Sequence, residues 1–186
     1  MIQNGLARAG TLLFEHLDSP RGPDGRVDMN TSRAFVAGVV GGVVMSIFLA
    51  MARFMGMPAN LEMIEGTMLM DPGPVAWILG FVMHLVLSGL IALVYAWGFE
   101  HVTHRAGWLV GAGFGILHAI IAGMVMGMVP MIHPRMPSPV MPPGAFMSHL
   151  GLMGPIAVFM LHMIYGAVVG RMYAPATESA RVHALT

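Results

Sequence analysis

Four stretches of the chain are apolar almost without interruption: residues 34–55, 75–97, 108–129 and 155–173. At ~1.5 Å of rise per residue, each covers roughly the ~30 Å hydrocarbon core of a bilayer, the last with least margin. None shows the strict alternation of a barrel strand, and all are too long for one. In lipid the backbone is satisfied only in a helix or a closed barrel, so the pattern predicts four transmembrane helices, an all-α integral membrane four-helix bundle. Asn30, Thr31 and Ser32 offer capping oxygens just ahead of the first span.

Small residues recur every four positions within the spans. The first carries Ala34, Gly38, Gly42, Ser46 and Ala50; the third carries Gly111, Gly115, Ala119, Gly123 and Gly127. Such stripes let helix backbones approach closely in lipid, where no hydrophobic force drives helices together. His84 fills a step between Gly80 and Ser88, and His162 lies four residues before Gly166. Both are therefore expected between helices rather than against lipid. His118 is one residue off its stripe, roughly 100° around the helix. The spacing His84–Ser88–Ala92–Tyr95 repeats as His162–Gly166–Gly170–Tyr173, and Gly38–Gly42–Met45 aligns with Gly111–Gly115–His118. The chain thus reads as two copies of a helical hairpin in the same orientation, with Met45 standing where a fourth histidine would be.

Composition agrees with a membrane location. Hydrophobic residues make up 56% and charged residues only 10%, against about 25% charged in soluble domains, and the mean hydropathy is +0.75. Net charge is zero, so no general attraction to nucleic acid is expected. There is no cysteine, which rules out disulfides, thiolate metal sites and cysteine nucleophiles. Arginine supplies all the basic charge. Arg8, Arg21, Arg26 and Arg33 precede the first span, Arg105 lies between the second and third, and Arg171 and Arg181 end the chain. The loop from 56 to 74 has no basic residue, and the loop from 130 to 154 only Arg135. The positive-inside bias then puts both termini in the cytoplasm of a bacterial inner membrane and the two long loops outside. Arg53 is the exception, expected to snorkel outward or to pair with Glu62 or Glu65.

The organisation expected is an N-terminal tail over 1–33, a membrane domain over 34–174 and a C-terminal tail over 175–186. No secretory signal peptide is read in the first twenty residues. Ile2, Leu6, Ala9, Leu13 and Leu17 have the spacing of a short amphipathic helix, followed by a Pro/Gly-rich linker over 18–28.

The candidate chemistry is intramembrane histidine. An ionisable side chain in a span is a functional-site hypothesis by default. His84, His118 and His162, with Met45, fall within roughly 10–17 Å of the outer boundary at ~1.5 Å per residue, so one shared layer is geometrically open to them. Three imidazoles and a thioether suit copper, zinc or iron, the thioether favouring Cu(I); two facing histidines, His84 and His162, would instead serve haem b. The alternative for each is an interhelical hydrogen bond and no more. Methionine, 21 residues in all, crowds the two long loops, where His133 and His149 also lie. That distribution suits a surface receiving Cu(I), and it equally suits methionine as a flexible filler. His101 and His104 look like a polar interfacial loop. No hydrolase triad, phosphate loop or zinc-protease motif is present.

The segments MGMPANLE, GPVAWILGFVMH, HPRMP and HMIYGAVVG resemble those of a family of small four-helix bacterial membrane proteins with no assigned activity. The resemblance runs from Gly38 to Tyr173 and implies the fold, not an activity. The leading expectation is a membrane protein that binds a transition metal, copper foremost, with His84, His118, His162 and Met45 as ligands and His133 and His149 on the receiving surface. It would handle the metal or support a nearby metalloenzyme, without catalysing a reaction itself. The alternatives are a non-catalytic accessory subunit of a larger membrane complex or a homo-oligomer, and a haem b electron carrier.

Overall fold

The computed structural model describes residues 29–58, 60–134 and 143–184, with the side chains of 175–184 outside the description. The expected amphipathic segment and linker of the tail, together with Arg135, Met136 and Met141 of the second long loop, lie outside the described residues. Four long helices, each apolar enough to cross a membrane, make this a multi-pass membrane protein: α1 (Thr31–Phe54), α3 (Pro74–His101), α4 (Trp108–Ile132) and α5 (Met153–Ala184). Between α1 and α3 sits a two-turn helix, α2 (Leu61–Thr67), and between α4 and α5 a six-residue 3-10 segment, Ala145–Leu150. The described residues contain no strand.

The span boundaries follow the apolar pattern within a few residues, and Asn30 caps α1 by accepting from the Arg33 amide at 2.9 Å. Two differences stand out. Helix α5 does not stop near Tyr173 but continues to Ala184. The first long loop, in which the apolar pattern marks no helix, contains α2, whose start is held by the Asn60 side chain accepting from the Met63 amide at 3.1 Å. A helix this short has little intrinsic stability; docking on α3 supplies it. A Cβ on Gly66 would collide with the Ala76 carbonyl, and one on Gly80 with the Glu62 carbonyl. Arg53, at the end of α1, donates to Glu62 at 2.7 Å, so of the two acidic partners expected for it, Glu62 is the one engaged.

The small-residue stripes are consumed inside the chain. Gly38 meets the Ser88 carbonyl and Ala92; its counterpart Gly111 meets the Gly166 carbonyl and Gly170. In the repeat register Ser88 corresponds to Gly166 and Ala92 to Gly170, so the duplicated spacing is realised as duplicated contacts. The long loops match as well: α2 lies on the start of α3, and Met147 of the 3-10 segment lies on Gly154 at the start of α5. Each hairpin is thus a pair of close-packed helices with a short element folded over one end.

The hairpins join unequally. Helix α1 packs against α5 as well as α3, and α4 packs against α5, whereas α3 and α4 have no comparable seam. They meet through side chains in their short-loop halves, where the Phe114 ring lies 5.2 Å from Phe99 and 5.7 Å from Tyr95 and the Tyr95 hydroxyl lies 3.1 Å from His118 Nδ1. At the same end the Arg33 guanidinium donates to the Met172 carbonyl at 2.9 Å, tying α1 to α5. The result is a bundle split along one side.

Candidate functional site

Where α3 and α4 diverge, the structure holds a cavity of about 490 Å³. Its back wall is α1 and α5, through Met45, Leu49, Leu161 and Tyr165. Its sides are α3 and α4, and its roof is α2 and the 3-10 segment. Leu87 on α3 and Val125 on α4 line it while remaining about half exposed on the lipid-facing surface. The split in the bundle is therefore the mouth.

The three intramembrane histidines all line this cavity, and so does Met45. His84 and His162 are buried, as their stripe positions require. His118, off its stripe, is half-buried, and its ring lies 4.5 Å from that of His162 at 85°. Two of the rings have Nδ1 hydrogen-bonded, and the third has it near a carboxylate. The His162 Nδ1–H donates to the Val158 carbonyl at 2.7 Å, one helical turn back. His118 Nδ1 is 3.1 Å from the Tyr95 hydroxyl. His84 Nδ1 is 3.5 Å from the Glu65 carboxylate, which α2 carries over the cavity. The Nε2 atoms have no hydrogen-bond partner among the described residues, and that of His84 is fully buried. Because Nδ1 of His162 carries the proton, its Nε2 presents a lone pair; the Glu65 carboxylate on the Nδ1 side of His84 favours a proton on that nitrogen, which in the neutral ring puts the lone pair on Nε2. For His118 the tautomer depends on which way the Tyr95 hydroxyl points.

Tyr165 completes the base. Its hydroxyl donates to the Ser88 carbonyl at 2.5 Å, and its ring fits only because residue 41 is glycine, where a Cβ would strike it. Tyr165 also meets Tyr95 edge-on at 5.6 Å. This tyrosine was not singled out by its spacing; the Gly41–Gly42 pair in α1 was the signal that a large side chain inserts there.

The loop histidines separate. His149 lines the cavity from the 3-10 segment. His133 does not reach it: its Nε2–H lies 2.9 Å from the Ile64 carbonyl and 3.1 Å from the Thr67 hydroxyl, pinning the end of α4 to α2. Methionines Met68, Met83, Met126 and Met147 join Met45 in the lining. His101 and His104 donate to the Trp97 and Glu100 carbonyls at 3.0 and 2.7 Å and finish helix α3. Among the described residues no three of the His, Asp and Glu side chains stand close enough, as placed, to hold one metal ion.

A family model, described as a family of unknown function, DUF6789, matches residues 29–184. The chain belongs to that family. Comparison with curated proteins gave no match, and comparison with solved structures gave none.

Proposed function

We propose that this DUF6789 protein binds a transition metal, with copper as Cu(I) the best fit, in the cavity between α3 and α4, and that it handles the metal or supports a membrane metalloenzyme. The observation that carries this reading is the common state of the three histidines. His162 and His118 have Nδ1 hydrogen-bonded to a carbonyl and a hydroxyl, His84 has Nδ1 3.5 Å from a carboxylate, and among the described residues none of the three Nε2 atoms has a hydrogen-bond partner. Metal-ligating histidines are held in this way, the second-shell partner fixing tautomer and ring orientation.

The donor set favours a soft ion. A tetrahedral zinc site needs about four His, Cys or carboxylate ligands, and three such side chains do not gather here as placed. Cu(I) accepts thioether and imidazole donors, and His118, His162 and Met45 share one wall-to-wall space. Among the described residues no arginine lines the cavity to pair with haem propionates, so the haem b alternative gains no support from the lining. The accessory-subunit reading loses its argument from the glycine stripes, which are occupied within the chain. We place the protein in a bacterial inner membrane with both termini cytoplasmic, on the arginine distribution. Met68, Met147 and His149 in the roof would then receive the metal from outside.

Metal analysis and a visible spectrum of the purified protein test this. The expected result is about one copper per chain, lost in the His84→Ala/His162→Ala double variant. A Soret band would indicate haem b. Absence of both signals, with stable co-purifying partners, would leave the accessory reading.

A further inference from the structure

A copper ion fills only a small part of 490 Å³, and an apolar space that opens toward hydrocarbon does not stay empty. The mouth between α3 and α4 is apolar on both lips, with Leu87 and Ile91 on one and Ile121, Ala122 and Val125 on the other. At the base the character changes to imidazole, hydroxyl and aromatic ring. The buried Nε2 of His84 has no hydrogen-bond partner among the described residues, and that of His162, whose proton is on Nδ1, is an acceptor. A buried acceptor left unmet costs about 1–3 kcal/mol. What is missing is a hydrogen-bond donor delivered on an apolar body through the side of the bundle.

We propose that this cleft binds a quinol-type lipophile, a hydroxylated aromatic ring on an apolar tail, drawn from the bilayer. The ring hydroxyl donates to His84 Nε2. The ring packs among the His118, His162 and Tyr165 rings, where edge and face contacts are favourable. The tail leaves between Leu87 and Val125 into lipid. A phospholipid acyl chain would fill the same volume and leave the His84 nitrogen unmet. The ion and the hydroxyl would compete for His84 Nε2, but the inference rests on the mouth and on volume that the ion does not fill, and does not need copper to bind.

The test uses the full chain, purified in detergent and stripped of copper with a chelator, and a benzoquinol with a ten-carbon tail kept reduced. Binding is read by calorimetry beside two probes with the same tail, the ring dimethyl ether and plain decylbenzene. The expected result is one quinol per chain, bound roughly 10-fold or more tightly than the ether, the ratio that loss of one such hydrogen bond gives. His84→Phe should remove that preference, and Ala122→Trp, which fills the mouth, should remove binding of all three probes. Equal binding of the three probes to the unaltered chain would overturn the inference and identify the occupant as apolar chain alone. No binding of any probe would overturn it too. Copper stoichiometry measured on the same preparation before stripping is a separate reading, so either proposal can fail while the other stands.

Discussion

Glu62 is one of the most enclosed side chains in the protein, 1% exposed, and it is a carboxylate. Its charge is tolerable because Arg53 reaches it at 2.7 Å from the end of α1. Removing one member of a buried pair typically costs about 3–5 kcal/mol, whereas removing both with well-packed neutral groups costs far less. Arg53→Ala should therefore lower thermal stability in detergent markedly, and Arg53→Met/Glu62→Gln should recover most of the loss. A single variant as stable as the parent would show that the pair is not what holds α2 down. The pairing was half legible in the sequence. A lone arginine at the acidic end of a span demands a partner, but Glu62 and Glu65 are three residues apart on one helix face, and only the docking of α2 decides between them. Glu65 is thereby released to face His84.

At the scale of elements, the crossing of α4 and α5 depends on glycine backbones in contact. A Cβ on Gly111 would meet the Gly166 carbonyl, and one on Gly166 would meet the Gly111 carbonyl. Forcing atoms into such a seam typically costs about 1–3 kcal/mol. Gly111→Ala should destabilise the protein by an amount of this order, read as a drop in Tm in detergent. Gly113→Ala, where a Cβ has nothing within 4 Å, should leave Tm unchanged. Spans, caps and stripes were readable because each follows from local spacing: length against bilayer thickness, a polar residue at a helix start, a small residue every fourth place. The short elements were not. Helix α2 is two turns long and owes its existence to Gly66 and Gly80. The 3-10 segment contains Phe146 and Met147 at φ of 53° and 56°, a backbone region that such side chains seldom adopt. It persists because the Phe146 ring covers Gly123 and stacks on Phe159 at 6.0 Å. No periodicity in the loop announces contacts made across the molecule.

For the whole molecule, the informative fact is which helices do not pack. The repeated spacing predicted two like hairpins, and its small-residue contacts are duplicated in the structure. It could not predict that the α1–α5 seam closes while its counterpart between α3 and α4 opens, because that depends on crossing geometry rather than residue type. The opening has a measurable signature. A spin label at Ile91, on the cleft wall, should be about as accessible to oxygen dissolved in the bilayer as one at Leu90 on the lipid-facing surface. A label at Ala119, inside the α4–α5 seam, should be shielded. If Ile91 proves as shielded as Ala119, the side of the bundle is shut. The chain's lack of cysteine makes single-site labelling straightforward.

The aromatic clasp of Phe114 on Phe99 and Tyr95 has a mechanical consequence. It ties α3 to α4 at the short-loop end, and at the other end α2 bridges the same two helices, lying on α3 and taking the His133 side chain at the end of α4 at Ile64 and Thr67. Any spreading of α3 from α4 is therefore confined to the stretch between the clasp and this bridge. Whatever enters there from the side bears on the His133 contacts, and so alters access from above. Two openings that look independent on the surface share one lever.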